Sequence, residues 1–226
     1  MTALVLASAG PLVDWTWVGA NAGMILSDLG QHAELSGIAV LAGLVVSLPL
    51  SMIAWRYRLL RTPILGVAGL LYTVPSIALF VLIQPVTGYF SLLTAEVALS
   101  GYTLLILVRN TVSGLDSIPA EITEAATAMG YTTTGQLLRV YLPMALPALF
   151  AGLRVATVTV VGLVTVTVFI GRTNLGTMIL TGFNETFYTP IIVALVLSVA
   201  LAALGDASFV LLERVSIRWN RARSRA

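Results

Sequence analysis

Two stretches of this chain, LSGIAVLAGLVVSLPLSMIAW (35–55) and PILGVAGLLYTVPSIALFVLI (63–83), contain no charged side chain. A backbone surrounded by hydrocarbon must satisfy its own N–H and C=O groups, and within a single segment only a helix does so. At about 1.5 Å of rise per residue, about 20 residues cross a hydrocarbon core of about 30 Å. Three further segments have the length. They are FSLLTAEVALSGYTLLILV (90–108), which carries Glu96; a run from about Leu146 to Ile170, with Arg154 near its start; and FYTPIIVALVLSVALAALGDASFVLL (187–212), which carries Asp206. The expectation is an all-α membrane protein with five transmembrane helices over residues 35–213.

Charged residues make up 10% of the 226 residues, against about 25% in soluble domains. All 12 basic residues are arginine. Across five spans, Arg56, Arg58, Arg61, Arg109, Arg139, Arg154, Arg214, Arg218, Arg221, Arg223 and Arg225 fall on one side, leaving Arg172 on the other. The positive-inside bias makes the arginine-rich side cytoplasmic. The N-terminus is then outside, and the basic tail (214–226) inside. Because the arginines are dispersed between apolar segments, the basic pI is a topology signal, not a nucleic-acid one. Absence of cysteine excludes disulfides and thiolate metal sites, and one histidine, His32, cannot make a zinc site.

The opening MTALVLASAG lacks a basic n-region and a long apolar run, so it reads as retained, not as a signal peptide. Residues 11–34 are too polar to span. Trp15 and Trp17 suit a helix on the outer surface, and His32 reads as a solvated residue of the 1–34 segment.

A polar insert, about 116–145, separates the third and fourth spans. Pro119 suits a first helical turn. Ile118, Ile122, Ala125 and Met129 form an apolar stripe. Glu121 and Glu124 lie near the N-terminus, where the helix dipole favours negative charge, and Gly130 stands where a C-terminal cap needs a left-handed residue. Thr133 and Gln136 have capping-box spacing for a second helix, which Pro143 and Pro147 stop or kink. Two short amphipathic helices meeting at a glycine corner suit a groove on a soluble partner.

The residues Glu124-Ala125-Ala126, then Gly130, then Val140-Tyr141-Leu142-Pro143 resemble the EAA loop of bacterial ABC-importer permeases, with Val140 in place of isoleucine. The resemblance implies a coupling helix seated in a cleft of a cytoplasmic ATPase subunit. Glu124 would make the polar contact, Ala125 and Ala126 would allow close approach, and Gly130 would make the turn, with Glu121 and Met129 on the same element. It also implies a second permease copy, identical or similar, and an extracytoplasmic substrate-binding protein. ATP and Mg would be bound by the ATPase, with no cofactor on this chain. The location implied is the bacterial inner membrane, and the chain would be a non-catalytic subunit.

LLYTVPSIALFVLI (70–83) is similar to a segment of permeases for glycine betaine, choline and carnitine. FIGRTNLGTMILTGF (169–183) resembles another, although Arg172, Thr173 and Asn174 replace small residues there. The five-span core also resembles that used for methionine. The resemblance covers roughly residues 30–215. An ion-coupled secondary transporter, with Glu96 and Asp206 as relays, is the rival reading. Weighing against it are the few spans, the lack of an inverted repeat and the full EAA spacing. An intramembrane enzyme lacks any nucleophile–base spacing.

Ionisable residues within a membrane are paired or face water. Arg154 and Asp206 come to the same depth in antiparallel spans, so a structural ion pair is expected. Glu96 and Arg172 both lie toward the outer side, either meeting as a gate or lying apart with Glu96 toward a cavity that attracts cations. Pro49 and Pro75 can free carbonyls along a pathway, one of them satisfied by Ser76. Thr157, Thr159, Thr165 and Thr167 are expected to make contacts between helices, with pore lining as the alternative.

Overall fold

The computed structural model describes residues 12–217, all of whose regular elements are helices. A short helix α1 (Trp15–Ala20) is capped by Asp14, whose carboxylate accepts from the N–H groups of Thr16 and Trp17. Its Trp17 ring packs edge-on against Phe187 at 5.6 Å between centroids.

Helix α2 then runs unbroken from Ala22 to Arg56 and passes through Pro49 without ending. The polar stretch before residue 35 is therefore part of the first membrane helix, which corrects the surface-helix expectation there. Asp28, His32 and Ser36 fall at i, i+4 and i+8, so they share one face. That face turns inward, and all three are buried. His32 is 0% exposed, not solvated.

The second expected span is broken. Helix α3 (Arg58–Thr73) and helix α4 (Ser76–Thr87) meet at 107°. Pro75 excludes the helical region for the residue before it, and Val74 is extended with ψ 130. The carbonyl freed at Val74 accepts from the Tyr102 hydroxyl at 2.6 Å.

Helix α5 (Leu92–Asp116) is the centre of the bundle. It lies against α2 on one side and helix α8 (Leu142–Val164) on another. Leu99, Leu107, Val108, Val160 and Val164 are completely buried there. Lipid supplies no hydrophobic drive between helices, so close approach of small residues matters. At Gly43 of α2, an added Cβ would lie 1.7 Å from Thr103 Oγ1.

Helix α6 (Ala120–Ala128) and the single turn α7 (Thr133–Gln136) carry the polar insert. A π-helical turn (Leu137–Tyr141) leads into α8, and a 3-10 segment (Thr165–Ile170) ends it. Of the two outcomes expected at Pro143 and Pro147, stopping the insert's second helix does not occur, since helical backbone runs on from Thr133 to Ile170. The π turn bonds Leu142 N–H to the Leu137 carbonyl, five residues back. This wider register accommodates a proline that has no N–H to give.

Helix α9 (Leu175–Asn184) and helix α10 (Tyr188–Ser216) complete the bundle. Helix α10 is peripheral, packing on α8 and α9 with Leu195, Val199 and Leu204 exposed. A lipid-facing helix needs no cover for such side chains. Four helices, or five counting α3–α4 as one bent span, are long and apolar enough to cross a membrane among the described residues.

Candidate coupling loop and charged sites

The insert is a stiff corner. Arg61, at the start of α3, pairs with Asp116 at 2.7 Å and holds the end of α5. After α6 the N–H of Gly130 bonds the Thr127 carbonyl and the N–H of Tyr131 bonds that of Ala126. These two bonds, with Gly130 at φ 79, make a Schellman cap. Gln136 braces the corner from α7. Its Nε2 donates to Thr127 Oγ1 at 3.0 Å, and its Oε1 accepts from the Tyr141 hydroxyl at 3.0 Å. Tyr141 in turn stacks edge-on against Trp55 at the end of α2, with 5.0 Å between centroids.

The corner differs from the expected stripe. Ala126 is buried at 1% exposure, while Ala125 is exposed and Met129 is 69% exposed. Ala126 therefore packs inside this chain, and Ala125 lies on the outside. Glu121 and Glu124 are both exposed. The cap of the second helix is Thr132, not Thr133, because its hydroxyl accepts from Gly135 N–H.

Arg154 and Asp206 come together as a two-pronged pair, Nε to Oδ1 at 2.7 Å and Nη2 to Oδ2 at 3.0 Å. This joins α8 to α10. Glu96 and Arg172 are not within ion-pair distance. Both Glu96 carboxylate oxygens and Arg172 Nε are buried without a hydrogen-bond partner.

Pro75 and Ser76 lie at the α3–α4 break, but Tyr102, not Ser76, satisfies the freed carbonyl. Thr157 packs against Gly205 of α10, while the hydroxyls of the four threonines bond locally. Thr157, Thr159, Thr165 and Thr167 all donate to carbonyls of their own helical segment three or four residues back, the local bond that threonine hydroxyls favour in helices. Thr167 alone has a further partner, accepting from Asn174 Nδ2 at 2.9 Å.

Two buried polar contacts escaped the sequence reading. One is Tyr102. The other is His32, whose Nε2 lies 2.9 Å from the Val161 carbonyl. The i, i+4 spacing of Asp28, His32 and Ser36 was the available signal.

Residues 39–216 match the family described as binding-protein-dependent transport system inner membrane component. The osmoprotectant import permease protein OsmW of Salmonella typhimurium is 37% identical over 190 residues, 82% of this chain and 88% of that protein. The choline transport system permease protein OpuBD of Bacillus subtilis is 34% identical over 200 residues, 88% of each. Among solved structures, an inward-facing MetNI methionine ABC transporter superposes with a TM-score of 0.77. It covers 87% of this chain and 98% of the other at 22% identity, a likeness of fold. A fold alone does not carry function, but the sequence match runs through α2 to α10, the insert included. The chain is a multi-pass inner-membrane protein and belongs to the family of binding-protein-dependent transport system inner membrane components.

Proposed function

We propose that this chain is the permease subunit of an ATP-driven importer, forming the pathway for a small compatible solute such as glycine betaine, choline or carnitine. Identity of 34–37% with osmoprotectant and choline permeases over most of the chain supports the substrate class. Membership of a binding-protein-dependent family implies an ATPase and a substrate-binding protein as partners. A second permease copy completes the pathway. The N-terminus lies outside and the Gly130 corner inside, as the arginine distribution requires.

The observation that carries the coupling role is the corner itself. A Schellman turn presents Glu121, Glu124, Ala125 and Met129 to the exterior, and none of the described residues covers them. Glu124 makes the polar contact with the ATPase, and Gly130 holds the angle at which α6 meets it. Movement of the ATPase pair is thereby transmitted through α7 and the π turn into α8.

The test is purification from gently solubilised membranes, beside a Glu124→Arg, Gly130→Trp variant. The native chain is expected to retain an ATPase subunit and to support ATP-dependent uptake of glycine betaine or choline that survives collapse of ion gradients. The variant is expected to lose both. An active native preparation without any ATPase refutes the proposal.

A further inference from the structure

Glu96 stands apart from the other acidic side chains of the bundle. It sits one turn into α5, at the end remote from the Gly130 corner, and is 8% exposed. Neither carboxylate oxygen has a hydrogen-bond partner. The ion pair of Arg154 and Asp206, by contrast, is matched in full. An unpaired carboxylate within a membrane is costly and marks a place that something charged visits.

The opposite charge lies beside it. Ile170 belongs to the same buried cluster as Ala95, Ala98 and Leu99 of α5. A Cβ on Gly171 would meet the Phe90 ring at 2.8 Å, so the turn after the 3-10 segment is pressed against the start of α5. Arg172 follows at once. It and Glu34 of α2 are the charged groups whose fields reach Glu96. Yet Arg172 does not close an ion pair with Glu96, and its own Nε is buried without a partner.

The backbone holds Arg172 in place from both sides. Its N–H donates to the Thr167 carbonyl at 3.2 Å, and its carbonyl accepts from Asn174 Nδ2 at 2.9 Å. The same Nδ2 reaches Thr167 Oγ1, while Asn174 Oδ1 accepts from Gly176 N–H at 2.7 Å. Asn174 is fully buried. The polar run Arg172-Thr173-Asn174 thus works as one unit, in which Asn174 fixes the turn and Arg172 is what the turn presents.

A carboxylate and a guanidinium that are neighbours but not partners leave a negative and a positive group to be satisfied together. A single ion would satisfy one of them. We infer that Glu96 and Arg172 form a site for a zwitterionic solute in the pathway. Glu96 faces its quaternary ammonium, aided by the negative field of Glu34, and Arg172 binds its carboxylate with the directed hydrogen bonds that guanidinium gives. The site is shut in this conformation and is entered when this end of the bundle opens during transport. The inference rests on the proposed import of compatible solutes and deepens it. A carboxylate-bearing solute uses both groups, whereas choline, a cation with a hydroxyl, uses Glu96 alone.

The test uses the complete transporter, with ATPase and binding protein, in proteoliposomes supplied with radiolabelled glycine betaine or choline. Arg172→Gln is expected to lower glycine betaine uptake by about tenfold or more, the worth of one charge-assisted bond, while choline uptake stays within about twofold. Glu96→Gln is expected to lower both, and Arg172→Lys to recover part of the loss. If only one solute is delivered by the binding protein, that one is followed: both variants reduce glycine betaine uptake, but only Glu96→Gln reduces choline uptake. Thermal midpoints separate folding from transport, since Glu96→Gln removes a buried unpaired charge and is expected not to lower the midpoint. Equal loss of both solutes in Arg172→Gln, with raised ATP hydrolysis in the absence of solute, would identify a latch between the two charges and overturn the site. Unchanged glycine betaine uptake in either variant overturns it too. A native transporter that imports neither solute refutes the substrate reading itself.

Discussion

Replacing Gly130 by alanine isolates a backbone cost from every packing effect. The residue has φ 79, and an added Cβ meets nothing within 4 Å. Alanine therefore causes no clash, and the penalty is that of placing an L side chain in the left-handed region, about 1–2 kcal/mol. The two amide bonds of the Schellman cap, from Gly130 and Tyr131, report on it directly. Free energy of about 1–2 kcal/mol corresponds to about 5–30-fold more of the opened corner. Exchange at those amides is expected to quicken by that factor and that at α5 core amides to stay unchanged, as hydrogen exchange with mass spectrometry would measure. Gly130→Val is expected to exceed alanine, because branching at Cβ worsens the same conformation, and Gly130→Asn to fall nearest to the native chain. Gly101 of α5 supplies the control. It too has open space around it but lies in ordinary helical backbone. There Gly→Ala is expected to stabilise by up to about 1 kcal/mol. Equal effects at Gly101 and Gly130, or native exchange in Gly130→Val, would refute the argument that the corner is held by this one torsion.

Three other outcomes follow from the packing. Gly43→Ala is expected to destabilise by about 1–3 kcal/mol through overpacking. Thr103→Ala in the same chain should return part of that, because Thr103 Oγ1 is the first atom struck; thermal unfolding in detergent would measure both. His32→Leu leaves the Val161 carbonyl without its side-chain partner and is expected to cost about 1–3 kcal/mol, with His32→Gln costing less in the same assay. The carboxyl of Asp14 is held below its ordinary value by the Thr16 hydroxyl and then by the Trp17 N–H. Its contribution to α1 is therefore complete above the usual carboxylate range and is lost as pH falls through the lowered value. Fluorescence of Trp15 and Trp17 is expected to change on that acid limb, and Asp14→Asn to abolish the change.

The corner was legible in the sequence because its chemistry is local. A glycine that takes a left-handed torsion, an acidic first turn and a proline each act within a few residues. Arg154 and Asp206 were legible for a different reason, since antiparallel spans of known length fix the depth of every residue. What escaped depends on faces. Mean hydropathy over residues 22–34 is blind to Asp28, His32 and Ser36 sharing one side of α2, so a polar average hid an inward polar stripe. The same blindness hid that Ala126 of α6, outside the apolar stripe, packs inward. Pro75 signalled a break, but its 107° angle and its Tyr102 partner depend on α5, which is distant in sequence. Pro143 left stopping and kinking both open, because the π turn that admits it has no signature of its own.

The bond from His32 to Val161 has a metrical consequence. The Val161 carbonyl lies four residues before Thr165, where α8 gives way to the 3-10 segment. His32 reaches that carbonyl just where α8 tightens into the 3-10 segment Thr165–Ile170, 6 residues long. Each 3-10 residue rises about 2.0 Å, against about 1.5 Å in an α-helix, so the segment is about 3 Å longer than α-helical backbone would make it. A side chain of α2 thus holds α8 at the point where its rise per residue lengthens, upstream of Arg172. A change of pitch is usually a property of one helix; here it sits beside a bond from another.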